Sequence, residues 1–323
     1  MQPMIADQLR APWAVLPDRL WSICVLLNGS FARQHAPIPI APSDARRNAG
    51  IGAIAVLPFV GVAVQRTDAV GEALGLLSLW HFTQGLRAAL ADDAVGGIVI
   101  DVDSPGGSVY GVMELADEIY RSRARKPIAA VANSVAASGA YWIASAASES
   151  YVTPGGEIGG IGVCDMHTDL SKGLEKAGIE TTLISAGRYK VEGNPFQTLG
   201  ADARATMQKR VDGYYRAFVA AVAKHRNVPE SAVYNGMGQG RLLDAERAMR
   251  ENMVDGIATL DDVASKLVRR IGQGKPGRPP ARTADLQTRQ RVLEASNHWP
   301  SGGVSRATRL ATTRWREIEL LSL

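Results

Sequence analysis

Apolar positions along the middle of this chain follow two periods in turn, one typical of buried strands and one typical of helices. Residues 96–103 form an apolar run rich in Val and Ile, which predicts a strand inside a parallel sheet. In residues 109–123 the apolar positions instead share one face of a helix. The same order returns with a short apolar strand over 127–132 and a helix over 138–147. This alternation predicts an α/β domain.

The pattern continues on both sides of these two units. Further strands are predicted over 51–64, 151–153, 158–163 and 181–185, and further helices over 76–91, 169–177 and 201–224. Outside this region the periodicity is lost. We therefore expect a leader and linker over 1–47, one domain over 48–268, and a basic, flexible tail over 269–323.

Each of the two strand-to-helix turns carries residues that suit a hydrolytic site. The first turn contains Gly106 and Gly107, which would let backbone N–H groups approach a substrate closely, as an oxyanion hole requires. The second places Ser138 at a helix N-terminus, where the N–H of Gly139 or its neighbours would stabilise an oxyanion. A simple tight turn and a simple N-cap serine are the structural alternatives.

Two other serines have the same chemistry as Ser138. Ser104 and Ser134 also lie in these turns, but neither is so clearly followed by a helix of small residues. A serine hydroxyl is a weak nucleophile at neutral pH and needs a base within hydrogen-bond reach. The identity of that base is therefore the next question.

None of the five histidines is well placed to act as the base. Two lie in irregular terminal segments, His81 belongs to an amphipathic helix, and His225 ends a long helix, where a cation suits the helix dipole. Cys164 and His167 have the spacing of half a metal site, but no second pair exists, so structural roles are favoured for both. We expect no metal and no cofactor.

A lysine remains as the candidate base. Lys190 stands among Gly, Tyr, Val, Pro and Phe residues within 186–196, where burial is plausible. Desolvation disfavours the ammonium form, as does a nearby cation such as Arg188, and a neutral amine accepts a serine proton. A solvated loop lysine is the ordinary alternative.

Four motifs in a fixed order give the chain a resemblance to a known family. They are Asp103-Ser-Pro-Gly-Gly107, Ala136-Ala-Ser-Gly-x-Tyr141, Gly156-Glu-Ile-Gly-Gly-Ile-Gly-Val163 and Gly187-Arg-Tyr-Lys-x-x-x-Asn-Pro-Phe196. In this order they resemble the signal peptide peptidase A family of Ser/Lys peptidases, and the similarity covers about residues 51–267. The resemblance implies a Clp/crotonase-like α/β fold with mostly parallel sheet units and flanking helices.

The same resemblance implies roles for individual residues. Ser138 corresponds to the nucleophile and Lys190 to the general base, while Gly107 and Gly139 match the positions whose amides form the oxyanion hole. Related enzymes bring the serine and the lysine together from neighbouring subunits. A homo-oligomeric ring is therefore implied as well.

The absence of a long apolar segment indicates which branch of the family the chain resembles. No run of 18 or more apolar residues exists, residues 20–27 are too short to span a bilayer, and no signal peptide pattern is present. The two cysteines suggest a reducing compartment. We expect the phage branch, the minor capsid protein C type of head-maturation protease, acting on proteins or peptides in the bacterial host cytoplasm or the procapsid.

Phage portal, scaffold or capsid proteins are the partners that this branch implies. Three alternatives stay open: a cellular signal peptide peptidase that degrades cleaved signal peptides, a crotonase-like acyl-CoA enzyme, and a non-catalytic capsid assembly factor. Residues 269–323 hold eleven Lys or Arg against four Asp or Glu. Disorder, partner docking and nucleic-acid contact are all compatible with such a basic tail.

Overall fold

The computed structural model of this chain describes residues 12–15 and 53–273. The leader predicted over 1–47 is thus described only at 12–15. The tail predicted over 269–323 is described only as far as Gln273, and the rest of both predictions lies outside the described residues.

The helices and strands alternate along the described part of the chain. The helices are α1 (Ala69–Ala73), α2 (Leu79–Ala91), α3 (Val112–Ser122), α4 (Gly139–Ser145), α5 (Ser171–Lys176), α6 (Ala201–Arg226), α7 (Glu230–Asn235), a 3₁₀ turn (Met237–Gly240), α8 (Ala245–Arg250) and α9 (Leu260–Gln273). The strands are β1 (Trp13–Val15), β2 (Ala53–Val60), β3 (Val62–Val64), β4 (Leu76–Ser78), β5 (Val95–Ser104), β6 (Gly106–Ser108), β7 (Ile128–Ala137), β8 (Glu149–Val152), β9 (Glu157–Gly159), β10 (Leu242–Asp244) and β11 (Gly256–Ile257).

These strands form two sheets. The larger has the order β10-β9-β7-β5-β2, with β8 paired to β7 and β11 paired to β8, and all its pairs are parallel except β9 with β10. The smaller has the order β1-β6-β3-β4, in which β1 runs antiparallel to β6. A mostly parallel sheet with flanking helices confirms the predicted α/β class.

Single residues carry the chain from one sheet into the other at two places. Gly61 joins β2 to β3, and Pro105 joins β5 to β6. The carboxyl ends of β5 and β7 therefore meet beside the smaller sheet. The loops after parallel strands are where ligands gather in open α/β sheets.

Several local predictions were wrong, two of them because pairing with a distant strand outweighed the local pattern. Leu76–Ser78 was predicted to be helical but forms β4, since it pairs in register with β3. The strand predicted over 127–132 continues to Ala137, because its second half pairs with β9. Residues 160–163 and 181–185 were predicted to be extended but belong to no strand.

Helix α4 is the most completely buried helix in the described part of the chain. All seven of its residues are buried. Small side chains at Gly139 and Ala140 allow its close approach to the sheet, while the Trp142 ring stacks on Phe218 of α6 with centroids 4.5 Å apart. Because α4 is fixed on every side by the core, the residue that precedes it is held in place too.

His225 of α6 also belongs to this core, and the prediction that it acts as a cation at the helix end is wrong. It is 8% exposed, its Nδ1 lies 3.0 Å from the Ser145 hydroxyl, and its ring stacks on Tyr120. Burial, with smaller contributions from Lys224 and Arg123, lowers the pKa of His225 to about 4. The imidazole is therefore neutral at pH 7.

This burial predicts a loss of stability in mild acid. Between pH 6.5 and 4 the unfolded chain binds a proton at His225 that the folded chain does not, so the free energy of unfolding should fall as pH falls through this window. The loss should reach about 3 kcal/mol by pH 4. Urea unfolding at several pH values should give His225→Gln a shallower dependence than the parent. Equal slopes for the two proteins would contradict this account.

Candidate active site

Ser138 lies between the end of β7 and the start of α4 in an unusual backbone conformation. Its φ is 54° and its ψ is −118°, a region that costs a non-glycine residue about 1–3 kcal/mol. Backbone bonds on both sides hold it there, because its N–H donates to the Gly159 carbonyl at 2.6 Å and its carbonyl accepts from Trp142 at 3.0 Å. A strained strand-to-helix turn of this kind is known to present nucleophilic serines.

Gly106 and Gly107 lie directly beside this turn. A methyl group at Gly107 would lie 1.9 Å from the Ala63 carbonyl oxygen, so only glycine lets β6 approach β3 this closely. A methyl group at Gly106 would lie 3.0 Å from the Gly139 amide nitrogen, and one at Gly139 would lie 3.6 Å from the Gly107 amide nitrogen. The two amides predicted to form an oxyanion hole thus lie close together, one in β6 and one at the start of α4.

The other two candidate serines have bonds that favour structural roles. Ser104 is 1% exposed, donates to the Gly61 carbonyl at 2.6 Å and accepts from the Gly106 amide at 3.2 Å. It therefore shapes the glycine turn. Ser134 is exposed, and its hydroxyl donates to Asp103 at 3.4 Å. Neither is followed directly by a buried helix.

Lys190 is not paired with Ser138 in this single chain, and the burial predicted for it is not present within one chain. It lies exposed in a turn where its own N–H donates to the Gly187 carbonyl. The Ser138 hydroxyl, which belongs to a residue only 2% exposed, instead donates to the Gly162 carbonyl at 3.4 Å. One described chain therefore contains the serine turn and the glycine amides but leaves the lysine in solvent.

Cys164 and His167 make no pair with each other. The Cys164 thiol lies 3.6 Å from the Trp13 carbonyl oxygen, while His167 Nε2 lies 3.0 Å from the Asn194 carbonyl oxygen. Burial, together with nearby Asp165, raises the pKa of the Cys164 thiol, which makes it a poor nucleophile. Within residues 12–15 and 53–273, no group of three or more His, Cys, Asp or Glu side chains is arranged to hold a metal ion.

One strand beside this site was not predicted from the sequence. Trp13, Ala14 and Val15, assigned to an irregular leader, form β1 along the edge of β6. The available signal was a short apolar segment between Pro12 and Pro17. Such a segment is too short to predict a strand unless its pairing partner is known.

Comparison with known proteins agrees with the motifs and the fold. Residues 121–272 match the model of peptidase family S49. The chain is 34% identical over 250 residues to the head-tail preconnector protein GP5 of Enterobacteria phage P21, covering 75% of this chain and 49% of that one. It is 36% identical over 242 residues to the capsid assembly protease C of Escherichia phage lambda, covering 72% of this chain and 54% of that one.

A cellular relative is more distant. Protease 4 of Salmonella typhi is 28% identical over 183 residues, which cover 56% of this chain and 29% of that protein. The chain spans about half the length of the phage relatives that it matches.

The fold and the site define an α/β protein with a buried serine beside a glycine-amide cradle. With these matches, the predicted resemblance is confirmed, and residues 121–272 are the part of the chain that matches peptidase family S49. As for membranes, no helix in the described ranges combines the length and apolar character needed to cross a bilayer.

The contact between Gly107 and Ala63 predicts a specific cost for a single methyl group. Gly107→Ala should lower the free energy of unfolding by about 2–3 kcal/mol, because the methyl group meets a backbone oxygen that cannot move aside. Gly213→Ala is the matched control, since Gly213 lies in α6 with open space at this position. It should gain about 0.5–1 kcal/mol. Urea denaturation measures both, and a Gly107→Ala variant as stable as the parent would refute the close contact.

Proposed function

We propose that this chain is a serine endopeptidase of the Ser/Lys type that takes part in phage head maturation. The observation that carries the proposal is the strained turn at Ser138 beside the amides of Gly107 and Gly139, in a chain whose residues 121–272 match peptidase family S49. In this proposal Ser138 is the nucleophile, and the neighbouring amides of Gly107 and Gly139 are the oxyanion donors. Lys190 is the candidate base.

The proposed reaction has two stages. Neutral Lys190 accepts the proton of the Ser138 hydroxyl while its oxygen bonds to a peptide carbonyl carbon, and the amides of Gly107 and Gly139 bind the resulting oxyanion. The C–N bond then breaks, and Lys190 returns the proton to the leaving amine. Water attacks the acyl-enzyme with Lys190 as base, which releases the acid and restores the serine. Each oxyanion donor contributes about 2.7–4 kcal/mol to lowering the barrier.

The exposure of Lys190 favours assembly of the site between subunits. The segment around it carries apolar side chains in solvent, with Ile184 96% exposed, Tyr189 57% and Phe196 37%. Several exposed apolar side chains in one segment are typical of an interaction surface. Docking this segment on a neighbour in a homo-oligomeric ring would bury them and place the neighbour's lysine at Ser138. Burial there disfavours the ammonium form, as a general base requires.

The role in head maturation rests on the phage relatives. The names of two of them refer to capsid assembly and to the head-tail preconnector. We accordingly propose protein substrates among the portal, scaffold or capsid proteins, met in the host cytoplasm or inside the procapsid. No cofactor enters this mechanism.

Removal of either member of the pair should abolish hydrolysis while the fold persists. Ser138→Ala and Lys190→Ala should each lose at least about 100-fold in casein hydrolysis, because neither residue can do the work of the other. Lys176→Ala, another exposed lysine, is the matched control and should keep full activity. A serine-directed fluorophosphonate should label Ser138, as peptide mapping would identify. Normal turnover by either variant, or no labelling, would favour the acyl-CoA enzyme or the non-catalytic assembly factor.

Mixing the two inactive proteins tests the shared site. If each site combines Ser138 of one subunit with Lys190 of the next, equal amounts of Ser138→Ala and Lys190→Ala, mixed and reassembled, should recover about a quarter of parental activity. Reassembly is checked by exchange of subunits carrying different fluorophores. Complete exchange without recovery would place both residues of the site in one chain.

A further inference from the structure

The strand Trp13–Val15 lies between two backbone edges beside Ser138. On one side it pairs antiparallel with β6, with Trp13 opposite Ser108 and Ala14 opposite Gly107. On the other side Trp13 exchanges two hydrogen bonds with Cys164, at 2.8 and 2.9 Å. A short extended segment bonded along both edges is held as a peptide ligand is held in strand addition.

The carbonyl of Ala14 points at the proposed oxyanion amides. The Val109 amide donates to the Pro12 carbonyl at 3.1 Å, and bonded pairs alternate along an antiparallel ladder, so Ala14 and Gly107 form the next bonded pair. A methyl group at Gly106 would lie 2.2 Å from the Ala14 carbonyl oxygen, and one at Gly139 would lie 3.1 Å from it. This oxygen thus lies beside the two glycines whose amides the proposed mechanism assigns to the oxyanion.

The side chains of the segment alternate between two environments. Trp13 and Val15 pack in a small apolar cluster with Val64 and Leu76, separate from the main core. Ala14 is fully buried on the opposite face, with its Cβ 3.6 Å from the position of a methyl group at Gly139. Because side chains alternate along a strand, Trp13 and Val15 make the apolar contacts, whereas Ala14 is closely packed on the other face.

From these contacts we infer that residues 12–15 are a built-in peptide ligand that occupies the substrate groove. The groove accepts an extended peptide with a small residue at the position of Ala14 and apolar residues on either side. The segment must leave before another peptide can bind, so it keeps the site closed. The inference rests on the proposed function in treating Ser138 as the nucleophile, but the occupancy itself can be measured without hydrolysis.

Displacing the segment in the full chain tests the inference. Ala14→Arg, made in a Ser138→Ala background, places a long charged side chain where Ala14 is fully buried, so the segment should leave the groove. A fluorescent peptide with the sequence of residues 11–17 should then bind at least about tenfold more tightly than to Ser138→Ala alone, since a groove closed nine-tenths of the time loses that factor in apparent affinity. Ala14→Gly, which should leave the segment bound in the groove, is the matched control. The same peptide with Arg in place of its second Ala should not bind.

The thiol of Cys164 gives a second readout that does not depend on hydrolysis. The backbone N–H and carbonyl of Trp13 both form hydrogen bonds with Cys164. Release of the segment should therefore speed alkylation of the Cys164 thiol about tenfold. Peptide mapping separates this thiol from that of Cys24. Added peptide should restore the protection, which also demonstrates a folded groove. Trp13→Ala serves as a second displacing variant if Ala14→Arg fails to fold.

Two results would overturn the inference. One is equal peptide affinity for the displaced protein and its Ser138→Ala parent, and the other is unchanged Cys164 alkylation in a folded displaced protein. Hydrolysis separates this inference from the proposed function. With Ser138 intact, a displaced protein that binds peptide but cleaves none would refute the peptidase and keep the occupancy. An Ala14→Arg variant that cleaves casein at the parental rate, with Cys164 still protected, would refute the occupancy and keep the peptidase.

Discussion

The contact of the Gly107 backbone with the Ala63 carbonyl constrains the arrangement of the whole site. It brings β6 onto β3 at a distance that no side chain would allow, and so turns the end of β5 toward the serine turn. Ser138 is held from the other side by Gly159 and by the buried helix α4. The strain at Ser138 is tolerated because both neighbours are fixed, one by a close backbone contact and one by the core.

Under the proposed function, the arrangement within one chain is a resting state. Its serine is buried, its lysine is exposed, and residues 13–15 pair with the strand that carries Gly107. On the proposals above, catalysis needs two separate events: a neighbouring subunit must supply the base, and residues 12–15 must leave the groove. Both events take place close to Ser138, because β1 pairs with β6, the strand that contains Gly106 and Gly107. Premature hydrolysis would be limited without any change in the catalytic groups themselves.

Much of the fold was predictable, since buried strands and amphipathic helices impose their own periods on the chain. Strand β5, helix α3 and the long helix α6 lie close to where the apolar pattern placed them. The charge state of His225 was not predictable in the same way, because it follows from burial beside Ser145 and Tyr120, which are far away in sequence. A helix C-terminus favours a cation only when solvent remains to support it.

Local pattern and motif order were sufficient to predict the α/β class and the family resemblance, and they name Ser138, Lys190, Gly107 and Gly139 as candidate residues. These depend on residue type and on spacing, both of which are written in the chain. The strand at Trp13–Val15, the extension of β7 to Ala137 and the solvent exposure of Lys190 were established by the folded arrangement. Each depends on pairing or burial between segments far apart in sequence, and the energy of such contacts has no counterpart in a local pattern.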